Sequence, residues 1–398
     1  MPLWGGYPDR SERIDTESAR YIPFSMIWHG MSPLGEGVTG DSESSGGRRL
    51  VSAGRRKRAV ACQAGSMSKV AVFVNPAARR GRRAGRTRAA LAALQSGVGP
   101  EGMRLVDTPS VADVHSRSAE LVAQGTARIV VIGGDGLVHH VVQALAGRDT
   151  VLGVMAVGTG NDIATALGLP TKAAEAAKVA LGPARTIDLL RCVPSSSPGP
   201  NPTDSASVGR WAVSVATVGF SAAVNERAEG LRWPRGSARY SLATMLELPH
   251  LRAVELELEL VGSSGATHHR IDAALVAVGN TLCFGGGMRI CPTADPVDGL
   301  ADITVIEAVG RVDLLRHFAR VFRGTHVRHR SVSTHRAHTL TLRAVDPAGQ
   351  PALAIRADGE AWGQLPVTIE VVPGALRIAA PAGLTIAAPP SPADPDVQ

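Results

Sequence analysis

Two glycine-rich turns constrain this chain more than any other feature. Gly133-Gly134-Asp135-Gly136 follows the apolar run Arg128–Ile132 and precedes a helix-like segment to Ala146. Gly158-Thr159-Gly160-Asn161-Asp162 follows Val151–Val157 and precedes a second helix-like segment to Leu167. A strand that ends in such a turn and feeds a helix is half of a βαβ unit, and two in succession require a parallel sheet covered by helices. The flanks keep the alternation. Lys69–Val74 reads as a strand closed by Asn75-Pro76, Thr87–Gln95 as a helix stopped at Gly97, and Arg104–Val106 as a strand. Ser110–Ala123 reads as a helix with Ser110 as its N-cap and Gly125 beyond its end, and Glu175–Leu181 as a further helix.

After Thr186 the period shortens. Ile187–Val193, Trp211–Val218, Val254–Val261, Ile271–Val278, Ala301–Ile306, Thr339–Ala344, Ala352–Arg356 and Val367–Val372 all read as strands. In Val254-Glu255-Leu256-Glu257-Leu258-Glu259-Leu260 the alternation is strict, with one face dry and one wet. Two helices are expected within this half, near Ser237–Leu246 and Val312–Phe322, and Pro194–Ala206 reads as a surface loop. The pattern predicts a β-sandwich.

The turns also point to chemistry. Glycines let the backbone approach phosphate oxygens, and a helix N-terminus offers N–H groups and the positive end of its dipole. Neither turn has the Walker spacing, and neither fits G-x-G-x-x-G, so a P-loop and a dinucleotide fold are not supported. Each turn carries a carboxylate, Asp135 and Asp162. Beside phosphates these would repel the ligand unless a cation intervened, which predicts Mg²⁺. Asn75-Pro76 adds a third turn, followed by Arg79, Arg80, Arg82, Arg83, Arg86 and Arg88.

Composition limits the partners. Lys+Arg 42 against Asp+Glu 35 gives +7, which suits an anionic ligand or surface. Aromatics at 4% argue against a base-stacking surface, so nucleic acid is not an expected partner. Cys62, Cys192, Cys283 and Cys291 form no C-x-x-C pair, which argues against a disulfide scaffold or zinc ribbon. No apolar run approaches the roughly 18 residues of a spanning helix, so a cytoplasmic chain touching a membrane from its surface is the expectation. Residues 1–66 are rich in Gly, Ser and Arg, contain Arg55-Arg56-Lys57-Arg58, and read as a disordered extension, with a natural start at Met67. No signal peptide is read there, because Asp9, Arg10, Glu12, Arg13 and Asp15 occupy the place of an apolar segment. His326, His329, His335 and His338 match no zinc spacing and are expected on a basic rim facing anionic lipid.

Asn75-Pro76 and the two glycine turns, taken with Gly285-Gly286-Gly287, Cys291-Pro292-Thr293-Ala294-Asp295, Asp298-Gly299-Leu300, Asp358-Gly359-Glu360 and Val371–Leu376, resemble the catalytic region of the diacylglycerol kinase and sphingosine kinase superfamily. The resemblance runs from about Val70 to Pro381, in the family's order, and is closest to bacterial lipid kinases. It implies an α/β plus β architecture. A phosphofructokinase-like three-layer α/β domain would span 67–186 and be completed by 375–388, a β-sandwich domain would span 187–374, and 389–398 would be a disordered tail. It implies ATP and Mg²⁺ as cofactors and a lipid hydroxyl, first of all that of diacylglycerol, as phosphate acceptor.

By the same resemblance Asp358 would accept the proton. Asn75, Thr108, Gly133, Gly134, Asp135, Gly136, Thr159, Asn161, Asp162 and Glu360 would hold nucleotide, and Asp295, Asp298 and the Leu300 carbonyl would hold Mg²⁺. The chain departs from the family after the first turn: Leu137, His139 and His140 stand where Thr, Asn and Glu are usual. A catalytically silent lipid- or nucleotide-binding module and an NAD kinase-like enzyme stay open beside the lipid kinase.

Overall fold

A computed structural model of the chain describes residues 70–75, 84–194, 209–219, 253–307, 319–345 and 353–381, with isolated positions between them. The extension over 1–66, the loop after Pro194, nearly all of the two expected internal helices and the tail lie outside the described residues.

The first lobe is built from β1 (Val70–Val74), α1 (Ala84–Val98), β2 (Met103–Val106), α2 (Val111–Ala123), β3 (Arg128–Gly133), α3 (Asp135–Leu145), β4 (Val151–Ala156), α4 (Asp162–Ala166) and α5 (Ala173–Leu181). Its strands run parallel in the order β2-β1-β3-β4. Every residue of β1 is buried, as a sheet covered on both faces demands. Alternate side chains serve opposite layers. Phe73, Ile129, Val131 and Leu152 pack with Val114 and Leu121 of α2 and with Val138 and Leu145 of α3. Val72, Val130, Ile132 and Met155 face Ala90 and Leu94 of α1 and Ala176 and Ala180 of α5. Ser110 caps α2 through a capping box with Asp113, each satisfying a free N–H of the other.

The second lobe holds β5 (Ala184–Pro194), β6 (Arg210–Ala212), β7 (Val215–Gly219), β8 (Val254–Gly262), β9 (Gly265–Gly279), β10 (Ala301–Glu307), β11 (Val332–Ala337), β12 (Thr339–Ala344), β13 (Ala354–Ala357), β14 (Glu360–Gln364) and β15 (Val367–Ala379). The long β9 is shared between two layers. Its first part pairs with β8, which continues to β12, β15, β5 and β6; its last part pairs with β7 and β10, which continue to β13, β14 and β11. Between the layers lie Leu256, Leu258, Leu260, Val276, Ile303, Leu340, Ile355 and Ile369. Burying each such side chain contributes about 1.5–3 kcal/mol. On the outer face Glu255 pairs with Arg270 at 2.5 Å and Glu259 with Arg343 at 3.5 Å, exposed pairs that contribute little.

β15 joins the lobes. Its first part pairs with β12, its last with β4, and it runs against β5 along nearly its whole length. The strand read over Val367–Val372 runs on through Ala379 as one strand, with a register shift between Val372 and Leu376. Gly374 sits in the shift at φ 62 and donates its N–H to Asp188 Oδ1 at 2.8 Å. Conversely, the single run expected over Trp211–Val218 is broken at Val213-Ser214 into β6 and β7. The two amides at the break leave the ladder for a carboxylate of the site. Of the four histidines expected on a basic rim, His326 is fully buried, with Nε2 3.1 Å from the Ile290 carbonyl, and His335 lies in β11 with Nε2 buried, whereas His329 is half-buried and His338 exposed. Among the described residues no helix is long and apolar enough to cross a membrane.

Candidate active site

A cleft of about 250 Å³ opens where β1, β3 and β4 end and the second lobe faces them. Both glycine turns line it, with Asn75 on one side and the Gly285-Gly286 turn and Asp358–Glu360 on the other. The two turns touch. A Cβ on Gly158 would lie 2.6 Å from the Gly134 Cα, and one on Gly136 would lie 2.8 Å from Glu360 Oε1. Glycine at 158 is therefore required by the backbone beside it.

Asp135 reaches from the start of α3 to α4. Its Oδ2 accepts the Asp162 N–H and its Oδ1 the Ile163 N–H, both at 3.1 Å. Burial and then the Asp162 charge push its pKa up to about 6, against the pull of those two amides. Asp162 crosses to the second lobe, where Oδ2 and Oδ1 accept the N–H groups of Gly286 and Gly287, each at 2.8 Å. Burial raises it as well, opposed by the same amides. Gly286 and Gly287 have φ of 91 and 97, which presents successive N–H groups to one carboxylate. Asn161, at the N-cap of α4, has φ 57, a conformation that Asn tolerates better than most residues.

Asp358 and Gly359 form the two-residue turn between β13 and β14, with φ 53 and 87, the left-handed pair that a tight hairpin needs. The Asp358 side chain has no exposed surface and is saturated. Oδ1 accepts the Ser214 N–H at 2.7 Å and hydroxyl at 2.8 Å; Oδ2 accepts the Val213 N–H and His139 Nδ1, both at 2.9 Å. Burial alone would raise its pKa, but the His139 contact and the two amides outweigh it and hold the carboxyl below its usual range. His139 and Ser214 were not among the expected site residues. Ser214 was hidden inside an apparently continuous strand, and its signal is a single hydroxyl between Val213 and Val215. His139 stood out only as a departure from the family pattern.

Of the other expected residues, Gly133 ends β3, Asn161 sits behind the second turn, and Thr108 is buried just after β2 with no partner for its Oγ1. Asp295, Asp298 and Leu300 do not line the cleft. Asp295 Oδ1 accepts the Val297 N–H at 3.0 Å, Asp298 Oδ1 accepts the Leu300 N–H at 2.9 Å, and Asp298 Oδ2 pairs with Arg336. Arg336 also reaches Asp302 at 3.3 Å. The guanidinium thus already neutralises this loop, and a divalent cation would have to displace it. Among the described residues no three His, Cys, Asp or Glu side chains are arranged to hold a metal ion. The cleft holds no such trio either, but its charge is unbalanced. Its described lining carries Asp135, Asp162, Asp358 and Glu360 and no Lys or Arg, so a polyphosphate could enter only with a cation. Hard carboxylate oxygens from Asp135 and Asp162 fit Mg²⁺.

The diacylglycerol kinase catalytic domain matches residues 69–192, and the YegS C-terminal NAD kinase beta sandwich-like domain matches 214–380. A Mycobacterium tuberculosis (strain H37Rv) protein named diacylglycerol kinase is 38% identical over 320 residues, 79% of this chain and 96% of that protein. The chain belongs to the diacylglycerol kinase family. A protein of Stenotrophomonas maltophilia named "Probable lipid kinase YegS-like" is 31% identical over 281 residues, 68% of this chain and 84% of its own length. A crystal structure of a Bacillus anthracis diacylglycerol kinase covers 79% of this chain and 97% of its own with a TM-score of 0.56; at 18% identity it shows the shared fold. This family member is a lipid kinase, and its cleft is where the family's glycine turns meet Asp358.

Proposed function

We propose that the chain transfers the γ-phosphate of ATP to the hydroxyl of diacylglycerol, giving phosphatidic acid, at a membrane surface. One observation carries this reading: residues distant in sequence, the two glycine turns and Asp358, face a single cleft. The relative named diacylglycerol kinase supports the choice of lipid. Nucleotide would be held by the first lobe, 67–186 with 375–388, through Asn75, Thr108, Gly133, Gly134, Gly136, Thr159, Asn161, Asp162 and Glu360. The lipid would lie against the second lobe, 187–374.

In the transfer the lipid O–H bond breaks and its electron pair forms the new O–P bond. The bond from the γ-phosphorus to the ADP oxygen breaks with its pair leaving on ADP, and the proton goes to Asp358. An alcohol is a poor nucleophile, and a carboxylate held as an anion beside it is the acceptor the step needs. Mg²⁺, when bound, would neutralise the phosphates beside Asp135 and Asp162. A second ion at Asp295, Asp298 and the Leu300 carbonyl would compete with Arg336. Contact with the membrane would be peripheral, through the Arg79–Arg88 run. Radiolabelled ATP offered over a panel of lipids and NAD tests the reading: labelled phosphatidic acid supports it, whereas labelled NADP or no product rejects it.

A further inference from the structure

Asp358 is buried, and its strongest neighbour is a histidine where the family pattern has an amide side chain. His139 Nδ1 lies 2.9 Å from Asp358 Oδ2, and the two side chains are 6% and 0% exposed. We propose that His139 is a positioning residue for Asp358, holding the carboxylate in one orientation through the Nδ1 contact. The inference rests on the kinase reading above.

An imidazole with its proton on Nδ1 donates to Oδ2, and an asparagine amide at this place could make the same bond, whereas an aliphatic side chain could not. Three imidazoles crowd this place. His140, on α3 beside it, stacks edge-on at 5.4 Å between ring centres, and His115 of α2 reaches His140 at 3.2 Å. Burial, then His139, His115 and Arg210 of β6, push His140 down to about 4. His115 is lowered by burial and by the charges of His139 and Arg210. From the other elements, Asp358 faces His139 directly, Asp135 of α3 adds negative charge at Asp358, and Cys192 of β5, under the same carboxylate, is pushed up beyond the range in which it ionises.

Two variants test this. His139→Asn keeps a donor, and His139→Leu removes it. At saturating ATP and diacylglycerol, His139→Asn should keep kcat within about threefold of wild type while the ATP KM changes less than about twofold. His139→Leu should lower kcat on the order of tenfold or more, with melting temperature reported alongside. A wild-type kcat in His139→Leu, or an equal loss in His139→Asn and His139→Leu, overturns the proposal. Absence of lipid phosphorylation by wild type would instead sink the kinase reading, and the lower melting temperature expected of His139→Leu than of His139→Asn would still test the pairing.

Discussion

At the residue scale Asp358 governs both activity and local order. Replacing it by Asn places an NH₂ group where its neighbours are donors, whichever way the amide turns, because both oxygens accept backbone N–H groups. A buried donor without an acceptor costs about 1–3 kcal/mol. Asp358→Asn should therefore lose kcat by on the order of 10²-fold or more and also lower stability by that amount. Urea unfolding and turnover of the same preparation check both. The pH dependence has a definite sign. The folded-state carboxyl titrates below its unfolded value, so its stabilisation is complete above about pH 4 and is lost as pH falls through the folded value. Asp358→Asn should flatten that part of the acid unfolding curve, which thermal melts between about pH 2 and pH 5 would reveal.

At the element scale the turns matter as a pair. A methyl on Gly158 would meet the Gly134 Cα at 2.6 Å, which only a shift of one turn can relieve. Gly158→Ala should raise the ATP KM more than about tenfold, equivalent to about 1.4 kcal/mol, with the sandwich core untouched. Steady-state kinetics beside the far-ultraviolet spectrum will show it. Elements were legible in the sequence where local chemistry dictates them: Ser110 announced its helix through a capping box, and Val254–Val261 announced one wet and one dry face. They were illegible where a distant group decides. The break at Val213-Ser214 exists because Asp358, far along the chain, takes both amides. β11 was missed because Ser333, His335 and Arg336 mask its alternation. Likewise the glycine motifs revealed the floor of the cleft, whereas the Asp358 partners His139 and Ser214 are set by tertiary contact and left only a faint trace.

Across the whole molecule β15 ties one lobe to the other through ladders with β12, β5 and β4. Within the second lobe Asp188 pins the bend of β15, accepting the N–H of Gly299 and of Gly374, each at 2.8 Å. The lobes should therefore unfold together, giving one calorimetric transition whose calorimetric and van't Hoff enthalpies agree; two resolved peaks would show that β15 does not couple them. The two metal readings also separate at this scale. If Mg²⁺ binds only the folded protein it raises Tm by mass action. A shift that survives Asp298→Ala and is lost in Asp162→Ala would place the ion in the cleft, and the converse would place it in the Asp295–Leu300 loop in competition with Arg336.

The most direct measurement follows γ-labelled ATP into diacylglycerol vesicles with wild-type protein and with Asp358→Asn, at saturating ATP and Mg²⁺. The account predicts labelled phosphatidic acid from wild type and a rate lower by on the order of 10²-fold or more from the folded variant. Equal rates from the two proteins would contradict it.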